Sequence, residues 1–119
     1  MTTATTPRLT PREAFAALGF TLTEQPREER RDAFGRPVVT RWCRITPAAC
    51  SRIGATGEGP DDATAEERLD NALRATLRGL LAYAEADALA AVASPRRGRE
   101  GAAAAASWRN RVRAIVGAL

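Results

Sequence analysis

The chain has 119 residues with no histidine and no lysine, and its 18 basic residues, all arginine, face 14 acids for a net charge of +4. Histidine is the side chain that titrates near neutral pH, lysine forms Schiff bases and contacts phosphates as a point charge, and arginine stays charged at any working pH. The composition therefore excludes serine-hydrolase, histidine-phosphotransfer and lysine-dependent chemistry, and it fits a non-enzymatic protein that binds anions.

In chain order, residues 1–9 read as a flexible lead without the hydrophobic segment of a secretory signal. Thr10-Pro11-Arg12-Glu13 predicts a helix start, with threonine as cap, proline in the first turn and Glu13 closing a capping box; Gly19 ends it. Residues 20–23 and 38–45 have the alternation and β-branched content of strands. Asp32-Ala33-Phe34-Gly35 between them carries the signature of a type I turn, so a long antiparallel hairpin is expected. Pro26 has no N–H for a ladder, which puts the first strand at a sheet edge or breaks it in two.

Residues 46–53 repeat the Thr-Pro opening and predict a short helix, and residues 54–63, rich in glycine and aspartate, predict a loop. Thr64-Ala65-Glu66-Glu67 predicts a second capping box, opening the main helix. Leu69, Leu73, Leu77, Leu80 and Ala84 fall on one side of that helix, and Glu67, Asp70, Arg74, Arg78 and Glu85 on the other. Unbroken to residue 93 it is about 43 Å long, whereas a compact domain of this size has a radius of gyration of roughly 13–14 Å. Either Gly79 bends the helix or its alanine-rich second half packs against another molecule. Residues 94–101 predict a basic loop, and residues 102–119 a last helix with Trp108, Val112, Ile115 and Leu119 as its apolar seam. The expected fold is α+β: a short N-terminal helix, an antiparallel β-hairpin, then a short helix and two longer amphipathic helices packed on one face, as a single domain over residues 10–119.

Charge is segregated. Residues 1–60 sum to +3, residues 61–93 to −4 and residues 94–119 to +5. Arginine forks suit phosphates bidentately, so Arg96, Arg97, Arg99, Arg109 and Arg113 are the first candidates for contact with nucleic acid or a nucleoprotein. Arg41 and Arg44, which flank Trp42, come second, since aromatic stacking beside positive charge holds single strands. The competing expectation is that the basic end pairs with the acidic helix inside the fold. A second function class is an assembly or adaptor protein that oligomerises or binds a partner through Leu80, Leu81, Leu89 and Val92.

Asp61, Asp62, Glu66 and Glu67 could offer oxygens to a divalent metal, but acids also favour helix N-termini for capping and dipole reasons; neither a metal nor another cofactor is expected. Cys43 and Cys50, with no histidine, fall short of a four-ligand zinc set. They read as reduced thiols in a cytoplasmic protein, and no membrane span is expected. The string Ser107-Trp108-Arg109-Asn110-Arg111-Val112-Arg113-Ala114-Ile115 resembles the tryptophan-arginine helices that close some small phage tail-assembly proteins, which implies a virion accessory role; no functional residue carries over from it.

Overall fold

A computed structural model describes residues 8–119. Helix α1 (Pro11–Ala17) begins with the expected capping box: the Thr10 hydroxyl accepts from the Glu13 amide, and the Glu13 carboxylate accepts from the Thr10 amide. Four strands follow, β1 (Thr21–Glu24), β2 (Glu28–Arg31), β3 (Pro37–Ala49) and β4 (Arg52–Gly59). The long β3 is central. Its second half pairs antiparallel with β1 (Leu22 opposite Ile45), its first half with β2 (Arg30 opposite Val38), and its other edge with β4. Strands β1 and β2 are thus one edge strand broken around Pro26. The turn at Asp32 closes as the sequence predicts: Gly35 donates to the Asp32 carbonyl, and the Asp32 carboxylate accepts from the Phe34 and Arg36 amides.

Two expectations fail between β3 and α2 (Asp62–Ala93). The short helix over residues 46–53 is absent. Strand β3 continues to Ala49, and Cys50 and Ser51, with φ of +50° and +67°, turn the chain directly into β4. Both central residues are left-handed, as in a type I′ hairpin turn. The Thr-Pro pair lacks an acid three residues on, whereas extension lets Thr46 pair with Thr21 of β1 and buries Ile45 and Ala49. The loop over residues 54–63 is also replaced, in its first part, by β4. Its glycines are packing devices: a Cβ at Gly57 would overlap the Ala65 carbonyl oxygen and the Leu69 amide, so α2 seats directly on the strand backbone.

The cap of helix α2 lies three residues earlier than predicted. Asp61 is the N-cap and accepts from the Thr64 amide, so Thr64 lies inside the first turn. The helix runs 32 residues without interruption, Gly79 included. Its first half lays Leu69, Leu73, Leu77 and Leu80 on the sheet, where they meet Phe15, Leu18, Cys43 and Ile45. Its second half overhangs the sheet and packs against α3 (Gly98–Gly117), Ala88 and Ala91 meeting Ala105. The overhang is thus covered by the chain's own last helix. Residues 98–101, expected as loop, form the first turn of α3, leaving residues 94–97 as the connection. Leu9 is fastened rather than free: its amide donates to Ala118 O at 2.7 Å. The first seven residues of the expected lead lie outside the described residues.

The fold is α+β, with all three helices on one face of the sheet or continuing beyond it. The molecule is flat, 58 × 48 × 20 Å, with a radius of gyration of 17.9 Å. Among the described residues no helix is long and apolar enough to cross a membrane.

Candidate functional site

The seven candidate arginines divide by whether the fold already neutralises them. Arg97 forks onto Asp87 of α2 at 2.7 and 3.3 Å, and Arg113 reaches Glu85 at 3.3 Å. The Arg97 pair holds the Asp87 carboxyl below its ordinary range, chiefly through the hydrogen bond. Here the basic end does pair with the acidic helix. Arg41 lies on the helix-facing side of β3, half-buried, within 3.8 Å of Asp62 and 3.7 Å of Glu66. Arg96, Arg99 and Arg109 of the helical hairpin and Arg44 of the sheet have no carboxylate within 4 Å among the described residues. Arg109 shares only the Asn110 amide oxygen.

Three of the four acids that might have held a metal are engaged, and the fourth, Glu67, is exposed. Asp61 caps α2, Asp62 accepts from Arg27 Nε at 2.6 Å, and Glu66 pairs with Arg12 at 2.8 Å. The amide at Thr64 and the Arg27 guanidinium hold Asp61 and Asp62, respectively, below the ordinary carboxylate range. Burial pushes the Cys43 thiol up, against the opposing pull of Arg12, so it is a core sulfur. Cys50 is exposed in its turn, and its thiol too is raised by desolvation.

The face of the sheet away from the helices is uncovered. Alternation along β3 puts Val38, Thr40, Trp42 and Arg44 there, joined by Arg30 and Glu28 of β2 and Thr56 and Glu58 of β4. Trp42 stands half-buried at its centre, lying across Gly54; a Cβ at Gly54 would come within 2.5 Å of the indole nitrogen. Beside the indole is a cavity of about 350 Å³ lined by Gln25, Pro26, Glu28, Thr40, Trp42 and Thr56. It exists because the edge strand breaks there: Gln25 still donates to Trp42 O at 2.9 Å, but the chain leaves the ladder at Pro26 and rejoins it at Glu28. Sequence spacing identified Trp42 and Arg44 but not this pocket, whose other walls come from three strands. The second tryptophan, Trp108, packs on Phe20 at the core margin with the Arg111 guanidinium over its ring.

The chain matches no family model, no curated protein and no solved structure.

Of the four apolar partner candidates, Leu80 is buried in the core and Leu81 packs half-buried against it. Leu89 and Val92, at 73% and 78% exposure, are the two that face solvent.

Proposed function

We propose that this protein is a non-enzymatic binder of nucleic acid, single-stranded above all, that uses its uncommitted arginines as phosphate contacts. The observation that carries this is the open sheet face. It presents a seated indole and a free guanidinium, Trp42 and Arg44, with no helix over them. Single strands are held by a positive groove that tracks the backbone and by aromatic rings on which bases stack. Arg96, Arg99 and Arg109 of the helical hairpin add further uncommitted guanidinium groups, while Arg97, Arg113 and Arg41 remain as reserves held in ion pairs.

Fluorescence anisotropy with labelled oligonucleotides across a salt series tests this. Four phosphates contacted by Arg44, Arg96, Arg99 and Arg109 give a log–log slope near −2.8 on single strands. Replacing Arg96, Arg99 and Arg109 with alanine removes about three-quarters of that slope. A flat salt response refutes the reading.

A second reading, an assembly or adaptor protein, draws on Leu89 and Val92, which lie three apart on α2 and are both exposed. It requires a concentration-dependent mass in sedimentation that Leu89→Ser with Val92→Ser reduces to monomer.

A further inference from the structure

We infer that the cavity at the strand break is a nucleobase pocket that prefers guanine. The inference rests on the single-strand reading above and names what the open face recognises.

Its walls are of two kinds. The Trp42 indole and the Pro26 ring are flat and apolar, and the indole is held in place by the missing side chain at Gly54. The remaining walls are hydrogen-bonding groups: the Glu28 carboxylate, the Gln25 amide and the hydroxyls of Thr40 and Thr56. Splayed bases in single strands are recognised in this manner, stacked on an aromatic ring and hydrogen-bonded along their edges.

Glu28 decides which base. Neighbouring carboxylates on the strand surface are engaged: Glu58 with Arg30 at 2.9 Å and Glu29 with Arg27 at 3.1 Å. Glu28 makes no ion pair among the described residues, in a chain where arginines outnumber the acids. An ionised carboxylate accepts only, at two oxygens. The matching base edge has two adjacent donors, which guanine supplies as N1–H and the N2 amino group. Inosine keeps N1–H and lacks the amino group, adenine has an acceptor at N1, and thymine sets one donor between two acceptors. The Thr40 hydroxyl is turned to Glu58 at 3.5 Å and Gln25 Nε2 gives one N–H to Thr23 O at 3.4 Å, which leaves the Thr56 hydroxyl and the second Gln25 N–H to donate to guanine O6 and N7. A cationic side chain of a protein would also suit a tryptophan beside a carboxylate. Arg30 is neutralised by Glu58, but Arg44 on the same face has no ion pair among the described residues and favours a ligand that brings phosphate.

The test compares thymidine nonamers whose central residue is guanine, inosine, adenine or thymine, with the full chain. The guanine strand binds about fivefold or more tighter than the other three. Glu28→Gln removes that preference, read as the ratio of guanine-strand to all-thymidine-strand affinity, because losing the negative charge tightens every strand alike. Equal affinity for guanine and inosine, or a preference that survives Glu28→Gln, overturns the pocket while leaving the phosphate-contact reading intact. If no oligonucleotide binds, that broader reading falls, and the pocket is decided by titrating guanosine 5′-monophosphate while following the Trp42 indole N–H by NMR, its signal assigned with Trp42→Phe. A saturable shift absent in Glu28→Gln upholds the pocket. No shift, or an equal shift with arginine methyl ester, overturns it.

Discussion

Gly57 and Gly79 are the same residue under opposite constraints. At Gly57 a Cβ would overlap the backbone of α2, whereas at Gly79, exposed on the middle of α2, nothing lies within 4 Å. Gly57→Ala must push the main helix off the sheet, and overpacking of this kind costs about 3 kcal/mol. Gly79→Ala removes only the entropic handicap of glycine in a helix and stabilises by about 1 kcal/mol. Urea unfolding of the two variants beside the parent checks both signs at once; equal effects would mean that α2 does not sit on β4 as described. Cys50 and Ser51 illustrate the converse, side chains held at positive φ where asparagine and glycine are preferred. Ser51→Gly relieves a left-handed residue at a cost otherwise of about 1–2 kcal/mol, and the same unfolding curve shows it as a higher midpoint.

At the scale of elements, the sequence is most legible where one local rule acts alone. The Thr10 capping box, the Asp32 turn, the break at Pro26 and the leucine face of α2 all rest on neighbours within a few residues. Strand β4 was illegible because Gly57 and Gly59 answer to a helix that lies after them in the chain and Gly54 to the Trp42 indole across the sheet; read locally, the three resemble a loop. The pocket was hidden for the same reason, since Gln25, Thr40 and Thr56 meet only through strand pairing. Of the arginine site, positions could be read but not their partners. Asp87 and Glu85 precede Arg97 and Arg113 by 10 and 28 positions, and the pairing depends on α3 folding back along α2. These exposed ion pairs are screened by solvent and contribute little to stability. Asp87→Asn with Glu85→Gln therefore leaves the thermal midpoint nearly unchanged while releasing two guanidinium groups. Binding to single strands tightens and its salt slope steepens by about 1.4. An unchanged slope would place Arg97 and Arg113 away from the strand.

For the whole molecule, the absence of histidine makes a statement about pH. The shifted carboxylates, Glu13, Asp61, Asp62 and Asp87, are all held below their ordinary values by hydrogen bonds from backbone amides or arginines. A group whose folded pKa is depressed contributes stability that is present above its unfolded value and lost as pH falls through the folded one. Both cysteine thiols are instead raised, by burial, from an ordinary value already above neutrality. These four carboxylates and two thiols therefore keep their charge between about pH 5.5 and 8. Stability and salt-dependent binding are both expected to be flat across that window. Stability then falls below about pH 4 as the helix caps and the Asp62 and Asp87 pairs protonate. Chemical denaturation at half-unit intervals from pH 3 to 8 follows this directly. A step near pH 6.5 would mean that a group other than these six governs stability. In the nucleobase pocket the same logic runs through Glu28. Guanine preference there depends on two carboxylate oxygens that only accept, while affinity for the all-thymidine strand is carried by arginines that do not titrate and survives for as long as the fold does.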